Sequence, residues 1–141
     1  MEKVLHGWLS KDKRIVYCIK NDCLNFCDVD KQWGGLGEYP NPRDVFSASV
    51  GLCVLAVVAI YLEKKLNVSF ENIKFECTYQ KGPEGEIKAI NLKVFFPVAL
   101  EYIKEELIRV AESCPVKKTL SSSVQIKTEY LFSDQLTETV A

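Results

Sequence analysis

The sequence has little of several residue types and patterns that serve common functions. It contains one histidine, His6, and no Cys-x-x-Cys pair, so the usual ligand spacing of a zinc site is missing. Eighteen Lys and Arg balance nineteen Asp and Glu, which leaves no basic excess for a nucleic-acid partner. The N-terminal residues lack the apolar stretch and cleavage site of a signal peptide. We therefore expect a cytoplasmic protein without a bound metal or a nucleic-acid partner.

Cysteine, by contrast, is abundant: the chain has six among 141 residues. In a reducing compartment most of these thiols stay reduced, and a free cysteine commonly packs as a small hydrophobic residue. This interpretation suits the four cysteines that fall on predicted strands, which are Cys18, Cys23, Cys27 and Cys77. Cys53 and Cys114 fall on or beside predicted helices instead, and their spacing alone does not identify a role.

The length and a hydrophobic content of 48% fit one folded domain. Three strands are predicted in the N-terminal β segment, at 3–9, 14–20 and 23–29, with a tight turn at Asn21 and Asp22. The single domain over 1–141 is then divided by sequence pattern into consecutive segments: the β segment 1–31, a Gly- and Pro-rich loop 32–41, a central helix 42–66, a β-β-α-β part 70–131 and a polar tail 132–141.

The central helix is the most apolar part of the chain, because residues 46–62 carry no charge. Its length is at the lower limit for a membrane span, and Ser47, Ser49 and Gly51 interrupt it, so we interpret it as a buried helix of a protein without a membrane partner. A helix of about 36 Å is long for one small chain to cover on every side. We therefore expect a second subunit to cover part of it.

The remaining pattern predicts an α+β fold. Apolar residues alternate at 73–79 and 90–96, which is typical of a half-exposed antiparallel pair. An amphipathic helix is predicted at 98–113, and it stops at Cys114 because Pro115 disfavours helical geometry in the residue before it. A short helical piece at 115–120 and a strand at 124–131 follow. The expected architecture is antiparallel sheets wrapped around a long buried central helix.

Two segments resemble motifs of one protein family. Residues 41–53 (NPRDVFSASVGLC) combine an Asn-Pro helix start and an acid with an apolar helix that reaches a cysteine. Residues 107–120 (LIRVAESCPVKKTL) contain the pattern Ala-x-x-Cys-Pro-Val-x-x-Thr-Leu. The following strand and the Gly34-Gly35 pair agree as well. With these features in this order, the chain resembles the OsmC/Ohr superfamily over residues 10–131.

The resemblance implies an intertwined homodimer that acts as a thiol-dependent peroxidase on organic hydroperoxides or hydrogen peroxide, without a cofactor. It further implies that Cys53 attacks the peroxide, that Cys114 resolves the product as a disulfide, and that an external thiol or dithiol reduces this disulfide. The alternative is a non-catalytic dimer of the same fold that binds a small apolar or thiol-reactive ligand.

A thiol with a pKa of about 8.5 needs a nearby cation to be reactive at neutral pH. The family uses an arginine held by an acid, and the resemblance implies Arg14 for the arginine and Asp44 for the acid. Arg43 stands where other members have the acid, and it could itself lower the thiol pKa. Nine residues place Asp44 half a turn from Cys53 and about 13 Å along the helix. We therefore expect Asp44 and Arg43 to act, if at all, on the partner subunit's Cys53.

Overall fold

The computed structural model describes residues 2–19, 23–68 and 71–134. This part of the chain divides into two compact units, one extending to Phe46 and the other beginning at Ser47. The predicted turn at Asn21 and Asp22 and most of the predicted polar tail lie outside the described residues. The organisation of 1–141 as a single domain stays a prediction.

The first unit contains a three-stranded antiparallel sheet. The three strands predicted in this segment are present as β1 (Leu5–Leu9), β2 (Arg14–Ile19) and β3 (Asn25–Asp28), and they lie in chain order in the sheet. The register pairs Arg14 with Asp28 across β2 and β3. Arg14 is the first residue of β2 and Asp28 is the last residue of β3, so this pairing brings opposite charges together.

Hydrogen bonds tie the loop after β3 into a fixed shape. The side-chain amide of Asn41 donates to both carboxylate oxygens of Asp30 at 3.1 Å, and the N–H of Gly35 donates to the Asp30 carbonyl at 3.1 Å. A Cβ at Gly35 would overlap the Val29 carbonyl, so this close approach requires glycine. A short 3₁₀ turn, Lys31–Trp33, lies within the loop.

Helix α1 runs from Pro42 to Leu66, the range predicted for the central helix. Its start is a reciprocal cap. The Asp44 N–H donates to Asn41 Oδ1 at 2.9 Å, and the Asn41 N–H donates to Asp44 Oδ2 at 3.0 Å. Proline at the first helical position needs no donor there, which completes a stable helix start.

One face of α1 is buried in the core of the second unit. This face consists of Ser47, Val50, Gly51, Val54, Val58 and Leu62. The opposite face is exposed in the single chain, where Leu52 is 58% and Ile60 is 52% accessible. By length and composition alone α1 could also cross a membrane, a test that core helices of soluble proteins pass too. Its buried inner face identifies it as a core helix.

The second unit contains a sheet whose topology corrects one expectation. Strands β4 (Lys74–Lys81), β5 (Ile87–Phe96) and β6 (Gln125–Phe132) lie in chain order, and β4 and β5 are antiparallel as predicted. However, β6 runs parallel to β5, so the expectation of purely antiparallel sheets is wrong. The helical connection between β5 and β6 is long enough to return the chain to the starting edge, which a parallel pair requires.

The connection between β5 and β6 contains three helical pieces. The single helix predicted at 98–113 is a 3₁₀ segment, Val98–Ile103, followed by α2 (Lys104–Glu112). The apolar stripe begins with a spacing of three, from Leu100 to Ile103, which fits a 3₁₀ segment as well as an α-helix. Helix α3 (Pro115–Leu120) follows at the predicted position.

The core of the second unit is formed by the residues that the apolar patterns select. The inner face of β5, the stripe of α2 and the buried face of α1 share one cluster, which includes Ile90, Leu92, Val94, Phe96, Leu100, Leu107, Val110 and Ala111. In the first unit Cys18 and Cys27 are buried, as expected for packed thiols. Cys23 instead precedes β3 and is exposed.

Candidate active site

The structure brings together the two cysteines that the family motifs select. The thiol of Cys53, in the middle of α1, lies close enough to the thiol of Cys114, between α2 and α3, to raise the pKa of Cys114. Both are free thiols. Cys114 is 0% exposed, whereas Cys53 is only partly buried. A solute can therefore reach Cys53 more readily than Cys114.

Local backbone geometry fixes the position of Cys114. The residue is extended (φ −52°, ψ 121°), as expected before a proline, and it is the N-cap of α3. The Lys117 N–H donates to Cys114 Sγ at 3.5 Å, and the Cys114 thiol donates to the Val50 carbonyl of α1 at 4.0 Å. These two contacts hold the sulfur between α3 and the turn of α1 that leads to Cys53.

The surroundings of Cys114 favour its protonated form. Burial raises the pKa of this thiol, outweighing the N–H groups of Lys117 and Val116 that lower it, and the Cys53 thiol raises it further. Cys114 is therefore kept in its protonated form, beside the more accessible thiol of Cys53.

A polar cluster that the sequence analysis did not identify surrounds the Cys114 turn. Lys117 Nζ forms an ion pair with Glu112 and donates to Thr128 Oγ1 at 2.9 Å, and the Tyr130 hydroxyl donates to Glu112 Oε1 at 2.8 Å. The Lys117 side chain is only 12% exposed. Burial and Glu112 raise the pKa of Tyr130, so the phenol remains a donor. Burial raises the pKa of Glu112, but the hydrogen bonds that Glu112 accepts from Lys117 and Tyr130 outweigh burial and lower it.

A signal for this cluster was present in the sequence. Glu112 and Lys117 bracket Cys114, and Thr128 and Tyr130 alternate on one face of β6. Only the side-chain hydrogen bonds in the folded structure show that this face of β6 meets the Cys114 turn.

In the first unit, Arg14 is held by two acids. Its Nε donates to Asp28 Oδ1 at 2.9 Å and its Nη2 to Asp28 Oδ2 at 3.1 Å, while Nη2 also donates to Glu38 Oε2 at 2.8 Å. The guanidinium carbon lies 4.6 Å from the centre of the Tyr39 ring. These contacts orient the arginine and leave 23% of its side chain exposed.

Asp28 is the buried member of this group and was not among the predicted site residues. Its carboxylate also accepts the N–H groups of Glu38 and Tyr39, each at 2.9 Å. The hydrogen bonds from Arg14 lower the pKa of Asp28 well below its usual range despite burial, and the N–H groups of Tyr39 and Glu38 lower it further. The Arg14 pKa is raised by its bonds to Asp28 and Glu38. Arg14 therefore remains a fixed positive charge.

The two other predicted residues lie at the start of α1. The Asp44 carboxylate accepts the Asn41 N–H as part of the helix cap, and Arg43 is exposed at the second helical position. The acids that hold Arg14 through hydrogen bonds are Asp28 and Glu38. The proposed role of Asp44 and Arg43 at the thiol stays a prediction.

Cys77 also lies near α1. It occupies the half-buried face of β4, where its thiol donates to the Ser47 carbonyl at 3.5 Å, and burial raises its pKa. Within residues 2–19, 23–68 and 71–134, no group of three or more His, Cys, Asp or Glu side chains is arranged to hold a metal ion.

Comparison with protein families shows that the model described as OsmC-like protein matches residues 35–129. A search of curated proteins found no match.

Solved structures share the fold at low sequence identity. A Psychrobacter arcticus protein named for osmotic stress induction and detoxification superposes with a TM-score of 0.80 at 17% identity, covering 89% of this chain and 93% of its own. An OsmC-like protein from Mycoplasma pneumoniae gives 0.75 at 17% identity, covering 94% and 99%. The organic hydroperoxide resistance protein OhrB of Bacillus subtilis gives 0.62 at 19% identity, covering 92% and 98%.

Proposed function

The chain belongs to the OsmC-like protein family, and on this basis we propose that it is a thiol-dependent peroxidase that reduces organic hydroperoxides or hydrogen peroxide. The name of the Bacillus subtilis relative refers to organic hydroperoxide resistance, which favours the organic substrates. The proposed role is protection against peroxide stress, with Cys53 as the attacking thiol and Cys114 as the resolving thiol.

One observation carries this assignment of roles. The two thiols are neighbours, yet Cys114 is fully buried and Cys53 is not. An attacking thiol must meet a dissolved peroxide, whereas a resolving thiol needs to meet only the oxidised sulfur beside it. The unequal exposure therefore supports attack by Cys53 followed by resolution by Cys114.

The reaction then has three balanced steps. The Cys53 thiolate attacks the terminal peroxide oxygen, the O–O bond breaks, and the alkoxide leaves as an alcohol after it takes a proton. The Cys114 thiol attacks the Cys53 sulfenic acid, which forms the disulfide and releases water. A thiol or dithiol reductant supplies two electrons and two protons to restore both thiols.

We assign the activating cation to Arg14. Two carboxylates fix its orientation, its charge is permanent, and part of the guanidinium side chain stays exposed. A cation beside a thiol stabilises the thiolate and thus increases the fraction that can attack. In the proposed homodimer, Arg14 of one chain stabilises the thiolate of Cys53 of the other chain.

Stoichiometric oxidation tests the proposal. Reduced protein is treated with one equivalent of cumene hydroperoxide, the remaining hydroperoxide is measured, and disulfides are mapped by mass spectrometry. We expect loss of hydroperoxide with formation of a Cys53–Cys114 disulfide. Cys53→Ser should abolish consumption, whereas Cys114→Ser should consume one equivalent and retain a Cys53 sulfenic acid that dimedone traps.

Cys23→Ser is the matched control, because Cys23 is an exposed thiol in the first unit. It should behave as the unaltered protein does. Hydroperoxide that persists beside free Cys53 would contradict the peroxidase proposal and leave the non-catalytic ligand-binding dimer as the better explanation.

A further inference from the structure

The turn that carries Cys114 is fastened on both sides. Glu112, the last residue of α2, precedes Cys114 by two positions, and Lys117 of α3 follows it by three. Their side chains form an ion pair, which connects the residues on the two sides of Cys114. Thr128 of β6 accepts a hydrogen bond from Lys117, and Tyr130 of β6 donates one to Glu112. These two bonds connect the Cys114 turn to the sheet.

Lys117 has two contacts that bear on Cys114. Its backbone N–H donates to the Cys114 sulfur, while its side chain, 12% exposed, reaches Glu112 and Thr128. The side-chain bonds thus fix the residue whose N–H faces the sulfur. The neighbouring Lys118 is exposed, which makes the two lysines a matched pair for substitution.

We propose that Lys117 is a positioning residue for the resolving thiol: its anchored side chain holds Cys114 beside Cys53 and keeps an N–H aimed at the Cys114 sulfur. The inference rests on the proposed function, because it assigns a residue to the second step of that reaction. It does not concern the first step, since Lys117 acts through Cys114.

Two consequences follow for disulfide closure. Attack on an oxidised sulfur requires close alignment of the two sulfur atoms, and a misplacement of one ångström can slow a reaction about a hundredfold. The attacking sulfur also becomes negative as its proton leaves, and an N–H donor stabilises that charge. Titratable groups around Cys114 include Cys53 of α1, Glu112 of α2, Lys117 of α3 and Tyr130 of β6.

The test measures closure separately from peroxide reduction. In one arm, cumene hydroperoxide oxidises Cys53, and dimedone labelling follows the sulfenic acid while mass spectrometry follows the disulfide. In the other arm, diamide adds to the Cys53 thiolate, and Cys114 displaces the reduced diamide to form the same disulfide without peroxide. Each arm is run from pH 6 to pH 9 with Lys117→Met and Lys118→Met.

We expect Lys117→Met to close the disulfide about tenfold to a hundredfold more slowly than Lys118→Met in both arms. Sulfenic acid formation should be unchanged, and the closure profile should move to higher pH because the sulfur loses a fixed donor. Lys117→Arg should restore much of the rate, since a guanidinium can bond to both Glu112 and Thr128.

Equal closure rates and pH profiles for the two lysine variants would overturn the inference. If Lys117→Met does not fold, as judged by circular dichroism, Tyr130→Phe decides instead: slower closure supports the positioning role, and an unaltered rate overturns it. If the unaltered protein fails to consume hydroperoxide, the peroxidase proposal fails, but the diamide arm still reports on the positioning of Cys114.

Discussion

Arg14 and Asp28 face each other across β2 and β3, and the buried Asp28 carboxylate accepts hydrogen bonds from two nitrogens of the Arg14 guanidinium. This pair connects two roles. It ties the strands of the first unit together, and it orients the cation that we assign to thiol activation. Substitutions at Asp28 and at Arg14 separate the contribution of the pair to stability from its contribution to catalysis.

Asp28 should make the stability of the protein sensitive to acid. Its folded-state pKa lies below the unfolded value of about 3.9, so its contribution is fully present above that pH and is lost as the pH falls through the folded-state pKa. We expect Asp28→Asn to be less stable than the unaltered protein at pH 7. Below about pH 4 the stability of Asp28→Asn should change less with pH than the stability of the unaltered protein.

Urea unfolding from pH 7 to pH 3 measures this difference. Glu38→Gln is the control, because that side chain is 64% exposed and should contribute less through its bond to Arg14. An Asp28→Asn profile parallel to that of the unaltered protein would show that the buried carboxylate does not cause the acid sensitivity.

Gly51 should be required for the approach of α1 to β4. A Cβ at this position would lie 2.6 Å from Phe75 Cγ, far closer than two carbon atoms approach in ordinary van der Waals contact. Alanine ordinarily stabilises a helix by about 1 kcal/mol relative to glycine. Here we expect Gly51→Ala to lower the free energy of unfolding by about 1–3 kcal/mol, because the steric overlap outweighs that preference.

A double-mutant cycle isolates this contact. In a Phe75→Val background, which removes the ring, Gly51→Ala should become neutral or stabilising. A loss of stability that is the same in both backgrounds would place the cause elsewhere.

The exposed face of α1 should mediate association of two chains. Ile60 is 52% exposed in the single chain although it belongs to the most apolar segment of the sequence. We expect Ile60→Lys to shift the protein from dimer to monomer in sedimentation velocity, since a lysine at an apolar interface must lose hydration. Glu84→Lys, an exposed position in the turn between β4 and β5, is the control because it lies away from α1. A monomeric unaltered protein would refute the expected dimer.

Mixed dimers should reveal whether Arg14 acts across the interface. Cys53→Ser and Arg14→Met chains should each be inactive alone. Unfolded together and refolded as a mixture, they should regain part of the peroxidase activity, because one heterodimer site combines Arg14 of the first chain with Cys53 of the second. Mixing Arg14→Met with the double variant Arg14→Met/Cys53→Ser supplies no intact site and should remain inactive. If verified heterodimers recover no peroxidase activity, Arg14 does not act across the interface.

Asp44 can be tested for the role that the family motif suggests. Asp44→Ala should cost about 1 kcal/mol of stability because it removes the reciprocal cap with Asn41. Asp44→Glu keeps a carboxylate that can cap and should restore stability. Thermal unfolding and peroxidase assays on both variants distinguish the roles: if the cap is its only role, activity per folded molecule is unaltered in Asp44→Ala.

Local patterns were sufficient to predict most elements. The charge-free segment and its Asn-Pro start gave the range of α1, since capping and helix geometry depend on residues close in sequence. Alternation likewise selected the buried residues of β5. The direction of β6 was missed, because alternation is the same in parallel and antiparallel strands.

The sequence by itself determined which two cysteines to examine, through motifs around Cys53 and Cys114 that resemble a redox family. Only the tertiary structure decided that these thiols are neighbours of unequal exposure, that Asp28 and Glu38 hold Arg14, and that Lys117 fastens the Cys114 turn. Each of these contacts joins residues from separate elements or depends on how deeply they are buried. Such contacts depend on the packing of whole elements, which local sequence patterns do not specify.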